Sequence, residues 1–189
     1  MSLATKIMII RHAEKPPETP PPNGVDINGK KESDSLIVQG WQRAGALVVL
    51  FAPARGPLQD SELAKPQFIY ASSTSDPEGN RPEETITPLM EKLDLLANFE
   101  HKNTDVSGVA KSAMNCKGVV LISWPHGKIP ALARQIPLSS KNKNPIPKKW
   151  PGARFDIVFV FDRDDSNGNY IFTQVPQLLL AGDSPQIIT

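Results

Sequence analysis

Apolar positions in this chain alternate between short continuous runs and stretches spaced for a helix. Thr5–Ile10 is a continuous apolar run, the pattern of a parallel strand buried on both faces. Arg11-His12 follow, then a stretch to about Ser35 that is too rich in proline and glycine for regular structure. Val38–Phe51 carries Trp41, Ala44, Val48 and Phe51 on one stripe, which predicts a helix ended by Pro53. Gln67–Ala71 reads as a second strand, followed by the turn-forming segment Ser72–Asn80. Asn80 is placed to cap a helix starting at Arg81, with Pro82 in its first turn and Glu83 and Glu84 near its positive end. Ile86, Leu89, Met90 and Leu93 form its apolar face, and Pro88 predicts a kink.

Thr104–Met114 is a further helix, with Gly108 against it, and Gly118–Ser123 a third strand. His126–Ile136 reads as another helix. Asp156–Phe161 and Tyr170–Gln174 flank Asp164–Asn169, a hairpin turn. Strands alternating with helices imply a mainly parallel sheet covered on both faces, in one domain spanning residues 1–189. Composition changes this picture little. With 39% hydrophobic and 22% charged residues the chain is an ordinary globular one. Twenty-one basic against 20 acidic residues leave a net charge of +1, too little to draw nucleic acid or an anionic membrane. A lone cysteine, Cys116, excludes an intramolecular disulfide and a multi-cysteine zinc site. Met1–Lys6 lacks the apolar stretch of a secretory signal, which makes the cytoplasm the expected compartment.

Parallel sheets bind ligands beyond the carboxyl ends of their strands. Arg11 and His12 follow the first strand, Arg81 follows the second, and His126-Gly127 follow the third. Two histidines and two arginines therefore converge on one sheet edge, beside helix starts that favour anions. An electropositive pocket with a fixed imidazole suits attack on a phosphate dianion.

These residues carry a family resemblance. Arg11-His12-Ala13-Glu14-Lys15-Pro16 after a hydrophobic strand resembles the signature of the histidine phosphatase (phosphoglycerate mutase-like) superfamily. Gln39–Leu47 resembles that family's first helix. Ile69–Ser72, with Arg81 and then Thr85, is similar to its second-arginine segment, and Val119–Gly127 to its second-histidine segment. Trp150-Pro151 with Arg154-Phe155-Asp156 resembles a late strand of bacterial relatives. The matching segments span about residues 6 to 160, in the family's order.

The resemblance implies a three-layer α/β/α fold and a phosphatase acting on a phosphomonoester or phosphohistidine-type substrate, either a small molecule or a phosphoprotein. It makes His12 the nucleophile that forms a phosphohistidine, with Arg11, Arg81 and His126 binding and stabilising the phosphoryl group. No metal or cofactor is implied. Two departures stand out. Thr74–Asn80 intervene before Arg81, and no glutamate clearly matches the family's leaving-group acid. Glu83, Glu84, Glu100 and Asp105 are candidates, and Glu84 ranks first because it lies beside Arg81. The missing acid leaves open a non-catalytic phosphate-binding regulatory domain on the same fold. A phosphoglycerate mutase-type phosphotransferase is a third possibility, disfavoured by the short connection from Leu95 to Gly118.

Two motifs are decoys. Gly24–Lys31 spells most of a P-loop but follows a proline-rich stretch instead of a strand, and reads as a flexible loop. Asp162–Gly168 hints at a calcium loop with its glycine one place late, and reads as the hairpin turn. His101, in a polar stretch, is expected at the surface.

Overall fold

A computed structural model describes residues 3–73, 75 and 79–189, so Thr74 and Asp76–Glu78 of the predicted turn lie outside the described residues. The first apolar run forms strand β1 (Lys6–Arg11), and its side chains are buried on alternate faces. Ile7 and Ile9 enter one core, Met8 and Ile10 another. A helix follows, α1 (Val38–Phe51), then β2 (Phe68–Ala71), α2 (Arg81–Leu93), the two-residue β3 (Ala97–Asn98) and α3 (Val106–Met114). The chain continues through β4 (Val119–Trp124), α4 (Ile129–Ala133), β5 (Ile157–Arg163) and β6 (Tyr170–Pro176).

The result is a mixed α/β fold with a six-stranded sheet in the order β3-β2-β4-β1-β5-β6. The β3, β2, β4 and β1 strands are parallel, and β5 and β6 add an antiparallel hairpin at one side. Residues of α1 and α2, such as Leu47, Phe51, Ile86 and Leu89, share a core with Met8 and Ile10. Those of α3 and α4, such as Val109, Ala110 and Leu132, pack with Ile7 and Ile9. Alternation along β1 thus sends successive side chains into two separate cores. Among the described residues no helix is long and apolar enough to cross a membrane.

Several expectations need correction. The buried stripe of α1 runs through Arg43, Ala44, Leu47, Leu50 and Phe51, while Trp41 and Val48 are only partly buried. Asn80 makes no side-chain cap to α2, which runs on through Pro88 to Leu93. His126–Ile136 is not one helix, because α4 has five residues and His126 belongs to the turn before it. Pro125 and Pro130 flank that turn and withhold two backbone donors. No sequence pattern announced β3, whose two residues pair with Ile69 and Tyr70.

Candidate functional site

The parallel strands β1, β2 and β4 end together, so His12, Ser72 and the residues after Trp124 share one edge. His12 extends the β1–β4 ladder by donating its backbone N–H to the Trp124 carbonyl at 3.2 Å. The next amide, that of Ala13, donates to Thr85 Oγ1 at 2.7 Å, and this hydroxyl donates to the Arg81 carbonyl at 2.7 Å. A single buried threonine thereby joins the end of β1 to the first turn of α2.

The His12 ring is fully buried. Its Nδ1 lies 2.8 Å from the Ala13 carbonyl. A carbonyl only accepts, so Nδ1 carries the proton and Nε2 presents its lone pair. Nε2 is buried and has no hydrogen-bond partner among the described residues. Burial first, then the charge of Arg11, lower the His12 pKa to about 3; the Ala13 carbonyl opposes them, and Arg81 and His126 add lesser downward effects. The ring is therefore neutral near pH 7.

Because Arg11, Arg81 and His126 all act electrostatically on the His12 ring, the four side chains are brought together. Arg11 is buried, with Nη1 donating to the carbonyls of Gly152 (2.6 Å) and Arg154 (2.9 Å). Its guanidinium carbon sits 3.6 Å from the centroid of the Phe155 ring, a cation–π contact. The Phe155 ring stands edge-on to His12 at 6.2 Å between centroids. Arg81 donates from Nη2 to the Ser33 carbonyl at 3.1 Å and lies 3.9 Å from the exposed carboxylate of Asp34. His126 is half-buried in its turn. Ser72 Oγ and Ser123 Oγ, at the same edge, are buried without hydrogen-bond partners among the described residues. Buried polar atoms left this way cost roughly 1–3 kcal/mol each, which a polar ligand would recover.

Glu84 has other work. Its Oε1 accepts from the Ser35 hydroxyl at 2.6 Å and its Oε2 from the Leu36 amide at 2.8 Å. Both oxygens thus hold the end of the long loop onto α2, although burial still raises the carboxyl pKa. The loop's other end is fastened through Glu14, whose carboxylate takes bonds of 2.8–3.1 Å from the buried Arg43 of α1. Arg43 also grips Asp183 at 2.7 and 3.1 Å and Gln177 at 2.9 Å. The Glu14 carbonyl accepts from Ile37 at 3.1 Å and lies so close to Gly40 that a Cβ there would strike it.

Between these anchors the loop is ordered. The P-loop-like segment is a tight turn closed by a bridge between Val25 and Lys31, with Asp26 Oδ1 accepting from Asn28 and Lys30 at 2.9 Å each. Trp41 Nε1 donates to the Val25 carbonyl at 2.8 Å. The loop walls a cleft of about 640 Å³ that Lys15, Pro16, Pro20, Lys31, Ser33 and Arg81 help to line. Arg81 belongs to both the cleft and the group around His12.

Sequence reasoning missed two participants. Phe155 lay in a quoted segment with no role attached, and its signal was an aromatic just before a strand that enters at this edge. Thr85 was noted only for its spacing from Arg81. His101 is half-buried instead of exposed, with Nδ1 at 2.8 Å from Asp105 and Nε2 at 3.0 Å from Ser112. Among the described residues no three His, Cys, Asp or Glu side chains are grouped to hold a metal ion.

No family model and no curated protein matches this sequence. Among solved structures, one described as "Mycobacterial hydrolase 2" is similar with a TM-score of 0.49 and 11% identity, over 98% of this chain and 93% of that one. A likeness of that degree carries no argument about family or activity.

Proposed function

We propose that the chain is a phosphohydrolase of the histidine phosphatase kind, a three-layer α/β/α domain with a phosphoglycerate mutase-like arrangement. The observation that carries this reading is the state of His12. One ring nitrogen is fixed as a donor by the Ala13 carbonyl, and the other is a buried lone pair amid positive charge.

Nε2 attacks phosphorus in line. The bond from phosphorus to the leaving oxygen breaks, and its electron pair departs with that oxygen. Positive charge that develops on the ring is delocalised toward Nδ1–H, where the Ala13 carbonyl stabilises it. Arg11, Arg81 and His126 offset the charge on the phosphoryl oxygens. Water then attacks the phosphohistidine, releasing phosphate and regenerating the neutral ring. Burial, with help from the positive field, keeps His12 unprotonated, and the same field would attract the dianion, so one arrangement serves both nucleophile and substrate.

Glu84 is assigned here as a positioning residue that holds Ser35 and Leu36, and not as the leaving-group acid proposed from sequence. Without a dedicated acid, esters or phosphoramidates with good leaving groups are the favoured substrates. The occupied carboxylate also favours a second reading, a domain that binds phosphate without turning it over.

Hydrolysis of an aryl phosphate from pH 5 to 8 in the presence of a chelator, comparing the native chain with His12→Ala, separates the two. Turnover that disappears in the variant supports the nucleophile. Turnover that survives overturns it, and phosphate binding without any turnover supports the second reading.

A further inference from the structure

A second group of chemistry-bearing side chains lies along α3. His101 precedes that helix, Asp105 caps its N-terminus, and Ser112 stands in its last turn. His101 Nδ1 lies 2.8 Å from Asp105 Oδ2, and Nε2 lies 3.0 Å from Ser112 Oγ. The His101 bond, and then the Gly108 amide, hold the Asp105 carboxyl below its ordinary value, so it is a carboxylate near neutrality. A carboxylate only accepts. In the neutral ring Nδ1 therefore carries the proton, and Nε2 accepts from the Ser112 hydroxyl. Carboxylate, imidazole and hydroxyl stand in the order that makes a serine nucleophilic, with the base between its orienting acid and the alcohol.

The surroundings make room for this chain of bonds and hold it. Gly108 costs α3 about 1 kcal/mol relative to alanine, but a Cβ there would strike the Asp105 carboxylate. Ser112 lies four residues further on the same face, within reach of the other side of the ring. The His101 carbonyl accepts from the Ser73 amide at 3.0 Å, which fixes the base to the end of β2. The Tyr70 ring packs on it at 6.4 Å between centroids. His101 and Ser112 are half-buried and Asp105 is exposed, and a groove of about 380 Å³ runs past Tyr70 and Glu100 beside them.

We infer that Ser112, His101 and Asp105 form a second hydrolytic site, for small acyl esters with good leaving groups, separate from the chemistry at His12. Ser112 Oγ attacks the acyl carbon and gives its proton to His101 Nε2. The bond from that carbon to the leaving oxygen breaks, and the oxygen departs with the electron pair and takes the proton from Nε2. Water, deprotonated by the same nitrogen, then releases the acid and restores the serine. The last turn of α3 presents carbonyls and not amides, so the helix offers no donors to an oxyanion. Aryl esters, which need least of that help, are therefore the class that fits.

The test combines turnover of p-nitrophenyl acetate with diisopropyl fluorophosphate labelling mapped by mass spectrometry. The native chain should turn over the ester and carry label on Ser112. Ser112→Ala should abolish both, and His101→Gln should slow both about a hundredfold or more. Asp105→Asn keeps an acceptor for the Gly108 amide, so the cap on α3 survives, yet both rates should fall at least about tenfold. That variant decides the matter if His101→Gln does not fold. Turnover no faster than free imidazole, label absent from Ser112, or rates untouched in Asp105→Asn would reduce the three side chains to a structural staple and overturn the site. Label on Cys116 instead, or turnover lost in His12→Ala and kept in Ser112→Ala, overturns it too. None of these results bears on whether His12 hydrolyses phosphate esters.

Discussion

The sheet edge around His12 and the loop of residues 14–36 face each other across Arg81, yet they are built in opposite ways. The edge is held by the sheet itself. His12, Arg11 and Ser123 are buried, and their backbones belong to or extend the β1–β4 ladder. The loop has almost no ladder, and a few side chains secure it: Arg43 on Glu14, Glu84 on Ser35 and Leu36, Trp41 on Val25, Arg81 on Ser33. A buried, desolvated imidazole needs a rigid frame, because its reactivity depends on which nitrogen carries the proton. A cleft beside it can be assembled from a tethered loop. On the proposed reading, chemistry and the binding cleft are carried by different parts of the chain.

This division is testable by breaking each half separately. The largest effect belongs to the edge: His12→Ala should lower phosphate-ester turnover at least about a thousandfold, with the fold intact by circular dichroism. Residual turnover within tenfold of the native chain would remove His12 from the chemistry.

Next comes the loop's deepest anchor. Arg43→Met strands the carboxylates of Glu14 and Asp183 around an apolar side chain, and breaking a buried ion pair from one side typically costs about 3–5 kcal/mol. Denaturant unfolding should show a loss of that order. A loss below 1 kcal/mol would mean that the network is a solvated one and not an anchor.

Glu84→Gln is milder and more discriminating. Gln keeps one acceptor but presents an amide donor to the other partner, so about 1–3 kcal/mol of stability should be lost. If Glu84 only positions the loop, the variant slows aryl and alkyl phosphates by the same factor. A selective loss on alkyl esters, whose leaving groups need a proton, would restore Glu84 as the acid.

The effect that is smallest per measured step concerns pH. In the unfolded chain His12 titrates near 6.5, and in the folded chain near 3. Between these values the unfolded state binds a proton that the folded state refuses, so stability falls as pH drops through this window. The slope from this one group is at most about 1.4 kcal/mol per pH unit, and above pH 6.5 the contribution is flat. His12→Gln should flatten the acid side of a stability profile by up to that slope. An unchanged slope between pH 6 and 4 would show that His12 is charged in the folded protein.

The edge was more legible in the sequence than the loop, and for a physical reason. A buried strand writes its identity as an uninterrupted apolar run, so Ile7–Ile10 located β1 to within a residue and with it the position of His12. The order of Arg11, Arg81 and His126 along the chain then sufficed to bring them to one place. Loop structure is set by contacts distant in sequence. Nothing local to Glu84 says that its carboxylate meets Ser35, 49 residues earlier, and its position beside Arg81 suggested an acid instead. Arg43 lies on the buried face of α1, where apolar spacing alone would place a hydrophobe. The helix expected from His126 failed similarly, since residues up to Ile136 keep helical spacing while the chain turns.

The most direct measurement is a trapping experiment. The native chain is mixed with ³²P-labelled substrate, quenched in alkali within a turnover, digested and mapped by mass spectrometry. A phosphoryl group stable to alkali and labile to acid, on the peptide that contains His12 and absent in His12→Ala, is the predicted result. Steady hydrolysis with no label on His12, or with label on another residue, would contradict the assignment of His12 as nucleophile.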